Sequence, residues 1–219
     1  STLEDVVREG RSFDVVLCQL ALHYLLSSEE AATRFLQHLV KLLRPGGRFI
    51  ATVPSCEVLA DFYEKASFVG NRTTERVLRH KLFRVSFEGT AWQQLQYAGV
   101  QLELDEVFLR RWGLPYLFSL EGAVHGEEYI LPWEAFEEVA NSFGLRVLAD
   151  ASFPDLYDQL KPRSRFYNKV FCKDNGNAQL DGDEEILFKL YQGFVMEKPL
   201  EGAKESLAPA NQNDCCSRG

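Results

Sequence analysis

Residues 13–53 place one capped amphipathic stretch between two short apolar runs, and this pattern constrains the fold more than any other feature. Phe13-Asp14-Val15-Val16-Leu17-Cys18-Gln19 is short and nearly all apolar. A strand buried on both faces of a parallel sheet has that composition. Ser27-Ser28-Glu29-Glu30 has capping-box spacing, with Ser27 as N-cap and Glu30 reaching back. Leu36, Leu39, Val40 and Leu43 then form one apolar stripe at helical spacing. Arg44-Pro45-Gly46-Gly47 ends the helix, because proline cannot continue it and glycine turns tightly. Phe49-Ile50-Ala51-Thr52-Val53 is the second buried strand, stopped by Pro54. The expected unit is βαβ: parallel neighbouring strands at 13–19 and 49–53, with a helix over 28–43 across them.

The remaining chain is less regular. Residues 57–66 predict a helix, Leu82–Phe87 a strand and Tyr116–Val124 another strand. Residues 88–113 carry Trp92, Tyr97, Phe108 and Trp112 without a clear period. Pro132 opens a helix through Phe143, with Gly144 as its stop. Leu145–Ala149 reads as a strand, Pro154–Leu160 as a short helix and Phe188–Lys198 as a final strand. The strands at 145–149 and 188–197 are expected to pair antiparallel at one edge of the same sheet. Lys173–Glu185 reads as an exposed loop, and residues 199–219 as a disordered tail.

Composition removes several classes. No apolar run approaches the roughly 20 residues of a membrane span. Cys18, Cys56, Cys172, Cys215 and Cys216 have neither paired spacing nor histidines at zinc distance. Neither a disulfide framework nor a metal site is supported. The net charge of -8 runs against a nucleic-acid surface, which usually carries a basic excess. Arg72, Arg76, Arg79, His80, Lys81 and Arg84 form one local basic run. It reads more readily as a solvated helix face than as a phosphate contact.

In open α/β sheets, ligands bind beyond the carboxyl ends of the strands. Gln19-Leu20-Ala21-Leu22-His23-Tyr24 occupies that place after the first strand. On position alone, His23 and Tyr24 suit a strand cap as well as a ligand site.

Phe-Asp-Val-Val, the His-Tyr loop, and Leu-Arg-Pro-Gly-Gly before a strand resemble the second half of class I methyltransferases. Three further segments resemble the mRNA cap guanine-N7 methyltransferases in particular. They are Gln19-Leu20-Ala21-Leu22-His23-Tyr24, Ser119-Leu120-Glu121-Gly122-Ala123-Val124, and the closing Tyr191-Gln-Gly-Phe-Val-Met-Glu-Lys198. The similarity runs over residues 1–198 as part of one methyltransferase domain, interrupted by an insertion at about 88–113. The fold it implies is a Rossmann-like α/β sheet with an antiparallel carboxyl-terminal edge pair.

The resemblance implies methyl transfer from S-adenosylmethionine to N7 of a capped RNA guanine, in the nucleus. His23 and Tyr24 then flank the guanine, Glu121 accepts from its N1–H and amine, and Tyr191 closes the pocket. Gln19 and Tyr24 lie against the methyl donor, and no residue acts as an acid or base. Leu20 stands where the family has an aromatic residue, so that stacking face is either lost or supplied by another ring, with Tyr116, Phe118 and Trp133 as candidates. The alternative reading of Glu121, which the resemblance outweighs, is a solvated strand carboxylate; Tyr191 reads equally as a core aromatic. The family's Gly-rich turn and its acidic ribose ligand have no match here. The expected chain is therefore the later part of a domain, with the first strand's edge open and an upstream capping-enzyme domain or subunit as partner. Two rivals remain: a methyltransferase for small molecules, and a non-catalytic methyltransferase-like binding module.

Overall fold

The computed structural model describes residues 10–69, 72–97, 104–160 and 182–200, built on two sheets. The first contains β1 (Phe13–Gln19), β2 (Leu43–Pro54), β8 (Arg146–Ser152) and β9 (Tyr191–Glu197), in the order β1-β2-β9-β8. β1 and β2 are parallel, joined through α1 (Glu29–Leu42). β9 runs antiparallel to both β2 and β8, which puts the expected antiparallel pair at the edge.

The second sheet is wholly antiparallel. It comprises β3 (Ser67–Val69), β4 (Arg72–Arg79), β5 (Phe83–Phe87), β6 (Pro115–Leu120) and β7 (Val124–Tyr129), in sequential order. Three helices pack near it: α2 (Cys56–Lys65), α3 (Thr90–Tyr97) and α4 (Leu104–Arg110). α5 (Trp133–Ser142), α6 (Phe153–Leu160) and α7 (Gly182–Lys189) complete the described elements.

Each sheet has its own core. On the first, Leu36 and Leu39 of α1 and Phe136 of α5 meet Phe49 of β2 and Phe194 of β9. Phe49 and Phe194 contact edge to face at 5.8 Å. On the second, Leu59, Phe62 and Tyr63 of α2 cover Phe83, Val85, Phe87 and Phe118. Trp92 and Phe108 join this cluster, and the Trp92 indole donates to the Pro115 carbonyl at 2.6 Å. The stretch that resisted a periodic reading thus contributes two helices to a core. Trp133 packs against both clusters and couples the layers. Each fully buried Leu or Phe contributes roughly 1.5–3 kcal/mol.

The structure corrects several sequence expectations. The N-cap of α1 is Ser28, whose hydroxyl accepts from Ala31 N at 3.2 Å; it is not Ser27. β2 begins at Leu43 and carries Pro45-Gly46-Gly47 within it as a bulge, where Phe13 pairs with Leu43 but Val15 with Arg48. A Cβ on Gly47 would lie 2.8 Å from the Arg44 carbonyl oxygen and 3.0 Å from that of Phe13, so only glycine fits. β1 is not covered on both faces. Among the described residues its outer edge has no partner strand, and Leu17 is 63% exposed.

The basic run is not a helix face: Arg76, Arg79 and Arg84 lie on β4 and β5. The Arg76 guanidinium stacks 4.5 Å from both the Tyr63 and Phe68 ring centres. Residues 116–124 form a hairpin rather than one strand, since Gly122 turns the chain at φ 75°. Of the loop expected at 173–185, residues 182–185 belong to the helix Gly182–Lys189 and 173–181 lie outside the described residues; the final strand starts at Tyr191 instead of Phe188. The expected tail beyond residue 200 lies outside the described residues, as do 98–103.

Lys198, just past β9, locks the βαβ unit. Its ammonium donates to the carbonyls of Val40 and Leu43, both at 2.9 Å, where α1 ends. Its backbone pairs with Gly46 and Gly47. A cation at a helix C-terminus satisfies orphan carbonyls and opposes the dipole. Lys198→Met should therefore lower stability by about 1–3 kcal/mol, read as a lower urea midpoint at unchanged slope. An unchanged midpoint would show that water caps α1 equally well.

Candidate functional site

The carboxyl ends of β1 and β2 lie side by side. Gln19 pairs with Thr52, and the Thr52 hydroxyl donates to Gln19 Oε1 at 3.0 Å. Leu20 N donates to both the carbonyl and the hydroxyl oxygen of Thr52, and Leu20 takes a left-handed φ of 48°. This sharp exit from β1 leads into a short 3-10 helix, Leu22–Leu25, whose Leu22 and His23 are buried. Pro54, at the end of β2, pairs with Tyr191, the first residue of β9. His23, Tyr24 and Tyr191 thereby come to one end of the first sheet.

A carboxylate from the second sheet meets them there. Glu128 of β7 is only 4% exposed. Its Oε2 accepts the Tyr116 hydroxyl at 2.6 Å, and its Oε1 accepts the Tyr24 hydroxyl at 3.2 Å. His23 Nε2 lies 3.6 Å from Oε1, too long for a hydrogen bond. The His23 and Tyr24 rings meet at 4.3 Å with a 52° tilt.

Burial dominates the electrostatics. It lowers the His23 pKa from 6.5 to about 4, so its contact with Glu128 joins a neutral imidazole to a carboxyl group. His23 Nδ1 has no hydrogen-bond partner among the described residues. Burial also raises the Glu128 pKa, and the two tyrosine hydroxyls oppose this by stabilising the anion. Tyr191 is pushed up to about 12 by burial and then by the Glu128 charge. Tyr116 moves well above its ordinary value for the same reasons.

The sequence of this chain matches a known family over nearly its whole length. The model of the family described as mRNA (guanine-N(7))-methyltransferase domain matches residues 1–199. The chain belongs to this family.

Curated cap methyltransferases are correspondingly similar. The mRNA cap guanine-N(7) methyltransferase of Meyerozyma guilliermondii is 27% identical over 193 residues, which is 84% of this chain and 31% of that protein. The Saccharomyces cerevisiae enzyme is 28% identical over 84% of this chain and 41% of its own length. The mRNA cap guanine-N(7) methyltransferase 1 of Arabidopsis thaliana is 28% identical over 93% of this chain and 53% of its own length. The chain thus spans about a third to a half of the relatives it matches. Among solved structures, a putative S-adenosylmethionine-dependent methyltransferase from Listeria monocytogenes is 14% identical, with a TM-score of 0.41 over 90% of this chain and 67% of that one. At that score it does not bear on the site.

Of the residues singled out in this guanine-N7 family member, the fold gathers His23, Tyr24 and Tyr191 around one carboxylate. Glu121 is not that carboxylate. It lies exposed in the β6–β7 turn, its backbone N–H donating to the Leu82 carbonyl. Glu128 holds the buried position, and Tyr116 braces it. Gln19 stays exposed at the end of β1. A sequence signal for Glu128 did exist. A turn at Gly122 starts a new strand, and alternation from Val124 places Glu128 inward beside Tyr116, its cross-strand partner.

The His23 shift has a definite sign. Between pH 6.5 and about 4 the unfolded chain binds a proton that folded His23 refuses. Its contribution is fully present above pH 6.5 and is lost as pH falls towards about 4. Glu128, with its folded pKa raised above 4.5, acts oppositely: its contribution is present below 4.5 and is lost as pH rises through the raised value. From pH 7 to pH 5 the parent should lose about 2 kcal/mol through His23. His23→Gln should lack that component, so the stability gap between the two should narrow on acidification. A gap independent of pH would show that His23 is not held neutral.

Proposed function

We propose that the protein transfers a methyl group from S-adenosylmethionine to N7 of the guanine cap of mRNA, with Glu128 reading the base. The observation that carries this reading is the buried Glu128 carboxylate. Each of its oxygens accepts one tyrosine hydroxyl, so acceptor capacity remains on both. Guanine presents N1–H and the exocyclic amine as adjacent donors, and one carboxylate accepts such a pair side by side. Desolvation makes the match selective, because a base lacking either donor leaves a buried acceptor unsatisfied.

The rings suit the product as well. Methylation at N7 puts a positive charge on guanine, which the faces of Tyr24 and Tyr191 favour. A neutral His23 adds no repulsion. N7 has a free lone pair and loses no proton, so no general base is needed. Rate enhancement comes from in-line positioning and a preorganised field.

At the exposed end of β1, the Gln19 carbonyl oxygen takes the Thr52 hydroxyl, which leaves the amide N–H groups for a ligand. Gln19 and the half-exposed Tyr24 therefore fit one side of the methyl donor, which supplies the electrophilic methyl group. Among the described residues the outer edge of β1 is bare and one face is open, which suits further strands of the same enzyme or of an associated capping subunit. Capped RNA in the nucleus is the substrate in this reading.

The test is methyl transfer to capped RNA by Glu128→Gln and Glu121→Gln. Glu128→Gln replaces an acceptor with a donor facing a guanine donor. The cost is on the order of 1–3 kcal/mol, or roughly 5- to 150-fold in kcat/KM. Affinity for S-adenosylmethionine should change little. Glu121→Gln should stay within about twofold of the parent, as an exposed turn residue does. Equal activity of parent and Glu128→Gln would remove the basis for the guanine assignment.

A further inference from the structure

The second sheet carries a row of polar side chains that the guanine pocket does not use. Arg79 of β4 pairs with Arg84 of β5, Arg84 with Ser119 of β6, and Ser119 with His125 of β7. Directly paired residues share a face, so the four form one line across four strands. Three strand spacings of about 4.8 Å make it about 14 Å long. Arg79, Arg84 and His125 are exposed, and Ser119 is half-buried.

Two arginines directly opposite each other are unfavourable in a sheet, and little nearby relieves them. Arg84 approaches Glu75 only at 3.9 Å, while Arg79 has no carboxylate within 4.0 Å among the described residues. The neighbouring His80 and Lys81 differ, since both engage Asp183. Glu127 lies one row further along the same face, opposite Leu117. A chain of net charge -8 that keeps two arginines face to face, with one carboxylate at 3.9 Å from Arg84 and none within 4.0 Å of Arg79 among the described residues, has a place for an external anion.

We propose that the row Arg79–Arg84–Ser119–His125 binds the phosphodiester backbone of the RNA that follows the cap. The placement supports this. His125 and Glu128 are three residues apart on β7 and so point to opposite faces. β7 is an edge strand of its sheet. A polymer leaving the Glu128 pocket passes round that edge and meets His125 first, then Ser119, Arg84 and Arg79. Arginine and serine side chains belong to the usual phosphate-contacting set. The proposal rests on the cap reading for the identity of the polymer. That reading favours RNA over an acidic protein, because the substrate delivers the polyanion at this edge.

The test is fluorescence anisotropy with two probes, a capped and an uncapped single-stranded RNA of about 20 nucleotides, across a salt series. A cap dinucleotide without RNA is titrated in parallel. The double variant Arg79→Gln/Arg84→Gln should lose roughly tenfold or more in affinity for both RNAs at low salt. Its slope of log affinity against log salt should fall by about 1.4, as for two single-strand phosphate contacts. Affinity for the cap dinucleotide should stay within about twofold. Arg84→Gln alone should lower the slope by about half as much. Relief of like-charge pairing means neither variant should melt below the parent. Unchanged RNA affinity and slope would overturn the proposal, and so would a parent that binds no RNA at low salt. Displacement of RNA by polyglutamate at equal charge would also overturn it, in favour of an acidic protein partner. RNA binding that depends on the row without cap binding would sink the cap reading and leave the row as an RNA surface.

Discussion

The Glu128 carboxylate is the point at which the two sheets are forced to agree. A buried carboxylate is costly unless its oxygens are hydrogen-bonded, and here the donors come from different layers. The Tyr116 hydroxyl arrives from β6, the neighbour of Glu128 within the second sheet. The Tyr24 hydroxyl arrives from the short helix that follows β1 in the first sheet. Satisfying Glu128 therefore fixes the exit of β1 relative to the β6–β7 hairpin. The left-handed Leu20 and its two bonds to Thr52 set the angle of that exit. Breaking the network on one side would strand a charge in the other layer. Such loss usually costs more than the intact network contributes.

The βαβ unit and the antiparallel edge pair were legible because their signals are periodic and local. Apolar runs, a serine cap and a Pro-Gly-Gly break each act within a few residues. The second sheet was much less legible. Its β4 strand carries Arg76 and Arg79, and Arg76 is accommodated by the Tyr63 and Phe68 rings that flank its guanidinium and by the Tyr63 carbonyl, which accepts from it at 3.2 Å. Nothing local announces that arrangement, since Tyr63 comes from α2. The Trp92 and Phe108 helices are similar: their aromatic residues fill a core assembled from distant strands, without a period of their own.

The different settings of Glu121 and Glu128 follow from one turn. Reading 116–124 as a single strand keeps Glu121 within it and ends the segment before Glu128. Gly122 at φ 75° divides the segment instead and exposes Glu121. Pleat parity does the rest. With Tyr116 opposite Glu128, both point towards the core and the 3-10 helix. Tyr191 opens β9, and His23 and Tyr24 sit on the 3-10 helix just past the exit from β1, so position beside a strand end rather than pleat parity brings these three rings towards Glu128.

Parity also reconciles the acidic chain with the polyanionic substrate proposed for it. Along β7, one face carries Glu128 inward, where a single carboxylate can recognise a base by its N–H donors. The opposite face carries His125 in line with Ser119, Arg84 and Arg79. An antiparallel sheet separates these two requirements by the thickness of one strand. Some of the acidic residues elsewhere are engaged in local pairs, such as Glu134 and Glu138 with Arg110, and Asp183 with Lys81. Paired surface charges are screened within about 10 Å at ordinary salt. The net charge of the whole chain is therefore a poor guide to the potential at one row of one sheet. Local register decides what that surface presents.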